Sequence, residues 1–190
     1  MKYSLKGQYF RDIPYDGEIV DMYYLLLEIR ETNFEKMFAA YMLKWIKEEK
    51  IDITSEQKTV FYLFRRKTVT IHLLDRYKRI GTQIEGALFG LIEYAVDSEN
   101  KLTNKDFKKW LKKHRSKITS LESDMKEYSE DILLKKGYIK RQGKPGFLKH
   151  KKLNTDTKQA KEFEKNVYKF YHYLNDFSLL EEQESMNVQI

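Results

Sequence analysis

The chain has 190 residues, 41% of them hydrophobic, with 14 Tyr and 11 Phe but only 8 Gly and 2 Pro. This composition excludes wholesale disorder and long coil, and the length suits one large domain or two small ones. Cysteine is absent, which excludes disulfides, thiolate zinc sites and a cysteine nucleophile, and fits a reducing compartment.

The net charge of +7 is laid down in blocks. Residues 101–117 hold eight bases against the single acid Asp106, and residues 135–152 hold eight bases and no acid. Between them, residues 118–134 carry five acids and one base, and residues 175–190 are acidic. Such blocks create local fields that attract nucleic acid, anionic lipid or an acidic partner; a solvated helix face is the plain alternative. Residues 1–15 lack the apolar stretch of a signal peptide, and the strongest apolar run, 22–27, is too short to span a bilayer. The chain by itself is therefore expected to be soluble.

In chain order, residues 9–17 read as an extended lead-in closed by a turn. Pro14 pushes Ile13 away from helix, and Asp16-Gly17 is a turn signal, with Asp16 placed to cap the first helix. That helix is predicted over 18–29. Asn33 then caps a second, to about Glu49, with Phe34, Met37, Phe38, Tyr41, Trp45 and Ile46 as its apolar stripe. The period then changes. Residues 51–53, 58–64 and 67–73 read as short strands, the longer two forming a hairpin with Arg65, Arg66 and Lys67 at its tip.

After Gly81 a helix is predicted over 82–96, with Ile84, Ala87, Leu88, Leu91, Ile92 and Ala95 inward. Thr103, three residues before Asp106, has capping-box spacing for a helix over 104–114 carrying Phe107, Trp110 and Leu111. Another helix over 116–136 turns Ile118, Leu121, Met125, Tyr128, Ile132 and Leu133 inward and ends at Gly137. Strands over 138–141 and 147–153 flank a turn holding Gly143, Lys144, Pro145 and Gly146. A last helix runs to about Leu174, and the tail after Ser178 is expected to fray.

The fold class expected is thus α+β, mainly helical, as two tandem winged-helix-like units with short hairpin wings and a C-terminal helix. The first unit is placed at 1–76, the second at 77–178, and the acidic tail at 179–190.

Four motifs occur in order: Phe10-Arg11-Asp12-Ile13-Pro14, Leu43-Lys44-Trp45-Ile46, Asp106-Phe107-Lys108-Lys109-Trp110, and Tyr173-Leu174-Asn175-Asp176-Phe177-Ser178-Leu179-Leu180. Together they resemble the C-terminal cytoplasmic part of the YciQ-like predicted bacterial membrane proteins, a family of unknown function, over almost the whole chain. The resemblance implies a module on the cytoplasmic side of the cell membrane, in a longer chain with transmembrane helices and an extracytoplasmic β-rich region. It implies that this sequence is a fragment of such a chain. It carries no catalytic residues; Tyr15 departs from the small residue or cysteine expected there.

Signatures of catalysis and metal binding are absent from the sequence. His72, His114, His150 and His172 have no zinc-ligand spacing, and no Gly-rich loop precedes a Lys-Ser or Lys-Thr pair. His72 reads as a strand residue, while His114 and His150 fall in basic blocks. Gly81, Gly86 and Gly90 read as helix-packing positions. Acid pairs such as Glu48-Glu49 lack the apolar walls that general-acid work needs. Trp45 and Trp110 read as core anchors. No enzyme, cofactor, metal or small-molecule ligand is expected.

The reading is a non-catalytic interaction or scaffold module that meets a protein partner or an anionic membrane surface. Its contact residues are Arg65, Arg66, Lys67, Lys108, Lys109, Lys112, Lys113, Arg141 and Lys144. The alternative is winged-helix binding of nucleic acid, weak and directed at the backbone. Acids across the helix before the second wing would repel phosphate.

Overall fold

The computed structural model describes residues 14–60, 64–74, 81–142, 152–154 and 157–171, with the side chains of 58–60, 64–66, 141–142 and 152–154 excepted. The chain is mixed α+β and mainly helical. After a 3-10 turn at Ile19–Met22 come α1 (Tyr23–Glu28), α2 (Phe34–Lys47), β1 (Ile51–Val60), β2 (Phe64–Leu73) and α3 (Gln83–Ala95). These are followed by β3 (Lys101–Thr103), α4 (Asn104–Lys113), α5 (Arg115–Lys135), β4 (Lys140–Gln142) and β5 (Lys152–Asn154). A last helix, α6, covers 158–171. One sheet has the order β1-β2-β3, and β4 and β5 pair as a separate two-stranded sheet, all antiparallel.

The chain divides into two compact units, Arg30–Ser129 and Met1–Ile29 with Glu130–Ile190. This division differs from the boundary expected at 76/77. Two facts move it. Pairing of Thr70, Ile71 and His72 with Thr103, Leu102 and Lys101 ties the second half of the sequence to the first hairpin. The first helix, instead of staying with α2, buries Met22, Tyr24 and Leu25 with Leu133, Ile139, Ala160 and Phe163.

In the unit Arg30–Ser129, α2 begins where expected. The Asn33 side chain accepts a hydrogen bond from the Lys36 backbone N–H at 2.8 Å, satisfying one of the donors a helix start leaves free. Met37, Phe38, Tyr41 and Trp45 are buried on one face, while Ile46, expected in that stripe, is exposed. Trp45 is fully buried, edge-on to Phe89 at 5.0 Å between ring centroids and to Phe38 at 5.9 Å.

The hairpin is longer than the sequence suggested. Residues 51–60 form one strand, because the polar stretch Thr54–Lys58 pairs continuously with Arg66–Thr70. Alternation along the strands puts Ile51, Ile71 and Leu73 into the core and leaves Asp52 and Thr54 on the open face. The correction concerns the tip: Arg65, Arg66 and Lys67 are ladder residues of β2, opposite Thr59, Lys58 and Gln57. β3 covers only Thr70–His72, so from Ser55 outward β1 and β2 continue as a two-stranded ribbon.

In the other unit, the turn before α1 has Glu18 rather than Asp16 at its N-cap, and no side chain caps it. The α5 helix ends as expected, with Gly137 at φ +78°. Backbone hydrogen bonds from Tyr138 to Leu133 at 2.9 Å and from Gly137 to Leu134 at 3.2 Å close the end as a Schellman motif. The wing strands are three residues each among the described residues, and the turn with Lys144 lies outside them. Leu174 and the tail also lie outside.

Candidate anion-binding face

The clearest concentration of chemistry is on α4. Thr103 caps it: its hydroxyl oxygen accepts from the Asp106 backbone N–H at 3.1 Å and donates to Asp106 Oδ2 at 2.7 Å. That hydroxyl hydrogen bond and the nearby Lys109 hold the Asp106 carboxyl below the usual carboxylate range. The cap fixes the start of a ten-residue helix whose apolar and basic residues are sharply segregated.

Phe107, Trp110 and Leu111 form the half-buried side, with the Phe107 ring 5.7 Å from Phe38. Trp110 is thus a half-buried wall, not the core anchor that Trp45 is. His114 ends the helix, its ring stacked on Trp110 at 4.2 Å and its Nδ1 2.8 Å from the Trp110 carbonyl oxygen. A local backbone and ring contact therefore holds this half-buried histidine at the end of the basic block.

Lys105, Lys108, Lys109, Lys112 and Lys113 are all exposed on the remaining side. Lys109 lies 3.5 Å from Asp106, the only acid of the helix. Arg115 and Lys117 continue the exposed basic run into the start of α5. The lysine face can hold anionic oxygens by charge and by its many ammonium donors; it has no buried acid or base for proton transfer.

Of the other expected contact residues, Lys67 is exposed on β2 in the same unit, and α4 packs against β2 and β3. Arg65 and Arg66 are placed by register in β2, but their side chains lie outside the described residues. Arg141 stands in β4 of the other unit, its side chain also outside them, as is all of Lys144.

Three side-chain groupings escaped the sequence reading. Glu85, fully buried, accepts from Trp45 Nε1 at 2.9 Å and from Lys44 Nζ at 2.7 Å. Its only sequence signal was misleading. Thr82-x-x-Glu85 has capping-box spacing, and Thr82 does accept from the Glu85 N–H at 3.2 Å, but the carboxylate turns to Trp45 and Lys44. The second is a cluster of Tyr15, Asp21 and Lys136. Tyr15 donates to the buried Asp21 at 2.6 Å, and Lys136 reaches both. Burial and the Asp21 carboxylate raise the Tyr15 pKa, and the bond to Tyr15 raises that of Lys136. The third is a groove of about 400 Å³ beside Gly86, Gly90 and the exposed Tyr94, where Lys117 Nζ lies 4.6 Å from the Tyr94 ring centroid.

Among the described residues, no group of three or more His, Asp or Glu could hold a metal ion, and no helix is long and apolar enough to cross a membrane. Comparison with protein-family models, curated proteins and solved structures gives no match to this chain.

Proposed function

We propose that this chain is a non-catalytic interaction module whose α4 lysine face meets an anionic membrane surface, as part of a longer membrane-anchored protein. One observation carries the reading. Lys105–Lys109, Lys108–Lys112 and Lys109–Lys113 are like-charge neighbours one turn apart, all exposed, on a helix with one acid. Each such pair costs an isolated helix about 0.2–0.5 kcal/mol. Solubility needs no such segregation, whereas an anionic plane uses it: each Lys near such a surface contributes about 1 kcal/mol. The ordered sequence motifs, with the cytoplasmic, membrane-anchored setting they imply, supply the reason to choose lipid over an acidic protein.

The same reading treats the architecture as winged-helix-like. Its support is the order α3, β3, α4, α5, β4, β5, which is that of a winged helix; against it, β3 pairs with β2 and not with the later hairpin. A second reading, backbone-directed nucleic-acid binding, is favoured by the β1–β2 ribbon, whose width suits a groove and which exposes Lys67. The acids exposed along α5, Glu122, Asp124, Glu127 and Asp131, oppose docking by that helix.

The test is flotation of the purified chain with phosphatidylserine-containing and with neutral vesicles at near-physiological salt, with duplex DNA as competitor. The membrane reading expects flotation only with anionic vesicles, resistant to DNA, and lost when Lys108, Lys109, Lys112 and Lys113 become Gln. Displacement by DNA would transfer the assignment to nucleic acid, and loss of flotation on substituting Arg65, Arg66 and Lys67 alone would move the contact face from α4 to the ribbon.

A further inference from the structure

The unit formed by Met1–Ile29 and Glu130–Ile190 contains an open apolar cleft of about 420 Å³ with a charged rim. Ile19, Met22 and Leu26 form one wall, and Phe163, Val167 and Phe170 of α6 the other. The segment Pro14–Glu18 closes one end, and the charged residues it brings to the lining, Asp16 and Glu18, are both acids; among the described residues no Lys or Arg lines the cleft. The size is that of a site for two or three apolar side chains or one small ligand.

The cleft is built in advance rather than formed by loose packing. Tyr15, which lines it, is tied by its hydroxyl to Asp21 and Lys136, and Lys136 Nζ also lies 4.7 Å from the Tyr15 ring centroid. The ring lies so close over Gly17 that a Cβ there would collide with it. A glycine and a buried acid thus hold one end wall in place, which lowers the ordering cost of binding. The Lys136 charge is engaged by Asp21 at 3.2 Å and does not offset the acidic rim.

We infer that this cleft receives a basic amphipathic peptide segment of a partner protein, its apolar side chains against Leu26, Val167 and Phe170 over a floor of Met22 and Phe163 and its Lys or Arg residues beside Asp16 and Glu18. Charge selects this occupant. A fatty acyl chain would fit the apolar walls but would bring a carboxylate or phosphate to two acids. The site is in the unit that does not contain α4, so it is independent of the anionic-surface reading: one face takes anions, the other cationic peptide.

The test uses the full chain, with selectively labelled methionine methyls so that Met22 reports directly. The probes are a leucine–lysine amphipathic model peptide, its leucine–glutamate counterpart, and laurate. The expected result is a saturable shift of the Met22 methyl with the lysine peptide alone. Affinity should fall about tenfold in Asp16→Lys/Glu18→Lys, as expected for reversing one exposed and one half-buried charge. It should not fall in the variant with Gln at 108, 109, 112 and 113, which separates this site from α4. Asp16 is exposed, and Glu18, half-buried, serves the following turn through its backbone carbonyl and not its side chain, so the double variant is expected to fold; Leu26→Lys is a second variant that blocks the cleft from within its rim. Equal shifts with the glutamate peptide or laurate, binding indifferent to both variants, or a Met22 shift that follows protein concentration without added peptide would overturn the proposal.

Discussion

Glu85 and Trp45, forty positions apart in sequence, meet inside the core: the indole Nε1 donates to Glu85 Oε1 at 2.9 Å. The other carboxylate oxygen takes the Lys44 ammonium at 2.7 Å. Adjacent residues of α2 thereby hold both oxygens of one fully buried acid on α3. Lys44 keeps 28% of its side chain exposed, so the pair is half in water, and its full Coulombic attraction is not realised. The geometry instead fixes the angle at which α3 meets α2 around Trp45.

Removing that acceptor leaves the buried indole N–H without it and ends the ion pair. Glu85→Ala is expected to lower stability by about 3 kcal/mol, enough to lower the melting temperature clearly. Glu85→Gln keeps an acceptor for Trp45 but turns an amide N–H donor toward the Lys44 ammonium, which is part-exposed and can turn to water, so it should cost less than Glu85→Ala. Urea unfolding followed by tryptophan fluorescence measures both. Equal losses would show that the charge, not the indole hydrogen bond, is what matters.

Two helices end in the same backbone motif with different residues at the left-handed position. After α5 it is Gly137, at φ +78°; after α2 it is Glu49, at φ +55°, with Lys50 N–H bonded to the Trp45 carbonyl at 2.9 Å and Glu49 N–H to Ile46 at 3.0 Å. An L residue pays roughly 1 kcal/mol in that region where glycine does not. Gly137→Ala should therefore destabilise by about 1 kcal/mol or more, since its Cβ would also come 3.0 Å from Gln159 Oε1. Glu49→Gly should stabilise by up to about 1 kcal/mol. Thermal unfolding of the two variants tests for opposite signs.

These ends show what the sequence could and could not disclose. Gly137 was legible because glycine marks the motif; Glu49 was not, because nothing in a glutamate announces a positive φ. The caps Asn33 and Thr103 and the buried face of α2 obey local rules, and the structure places them where those rules put them. The hairpin was read in pieces because Thr54-Ser55-Glu56-Gln57 has no apolar alternation. A ribbon open on both faces needs none, since only its base packs on a core. The pairing of β3 with β2 joins residues some thirty positions apart, and a three-residue strand carries no periodicity to reveal it. The lysine face of α4 was visible from spacing alone. The acidic cleft was not, because its walls come from segments more than a hundred residues apart.

Tyr24 predicts an alkaline limit. Burial, reinforced by the negative charges of Glu28 and Glu130, pushes its hydroxyl up from 10.0 to about 12. The unfolded chain releases this proton near its ordinary value, and the folded chain holds it. Between those two values the unfolded state binds fewer protons, so stability falls as pH rises through the window and is intact below it. Urea midpoints taken from pH 9 to pH 11.5 should decline, and Tyr24→Phe should show a shallower decline over the same range. Identical slopes would mean that the hydroxyl titrates as in water, and ultraviolet titration of the phenolates would confirm it.

The α4 lysines should separate folding from binding. Replacing Lys108, Lys109, Lys112 and Lys113 with Gln removes three one-turn repulsions, Lys105–Lys109, Lys108–Lys112 and Lys109–Lys113, each worth about 0.2–0.5 kcal/mol. It also removes Lys112 and Lys113 from the last turn, where positive charge favours the helix by about 0.3–1 kcal/mol each. The two effects oppose, so the melting temperature should stay within a few degrees of the parent. Vesicle binding should behave differently. Four charges at about 1 kcal/mol each correspond to a loss of more than a hundredfold. An unchanged melting curve with lost flotation assigns these side chains to a contact surface. A collapse of the fold on neutralisation would instead make them structural, and would remove the α4 face from the proposed function.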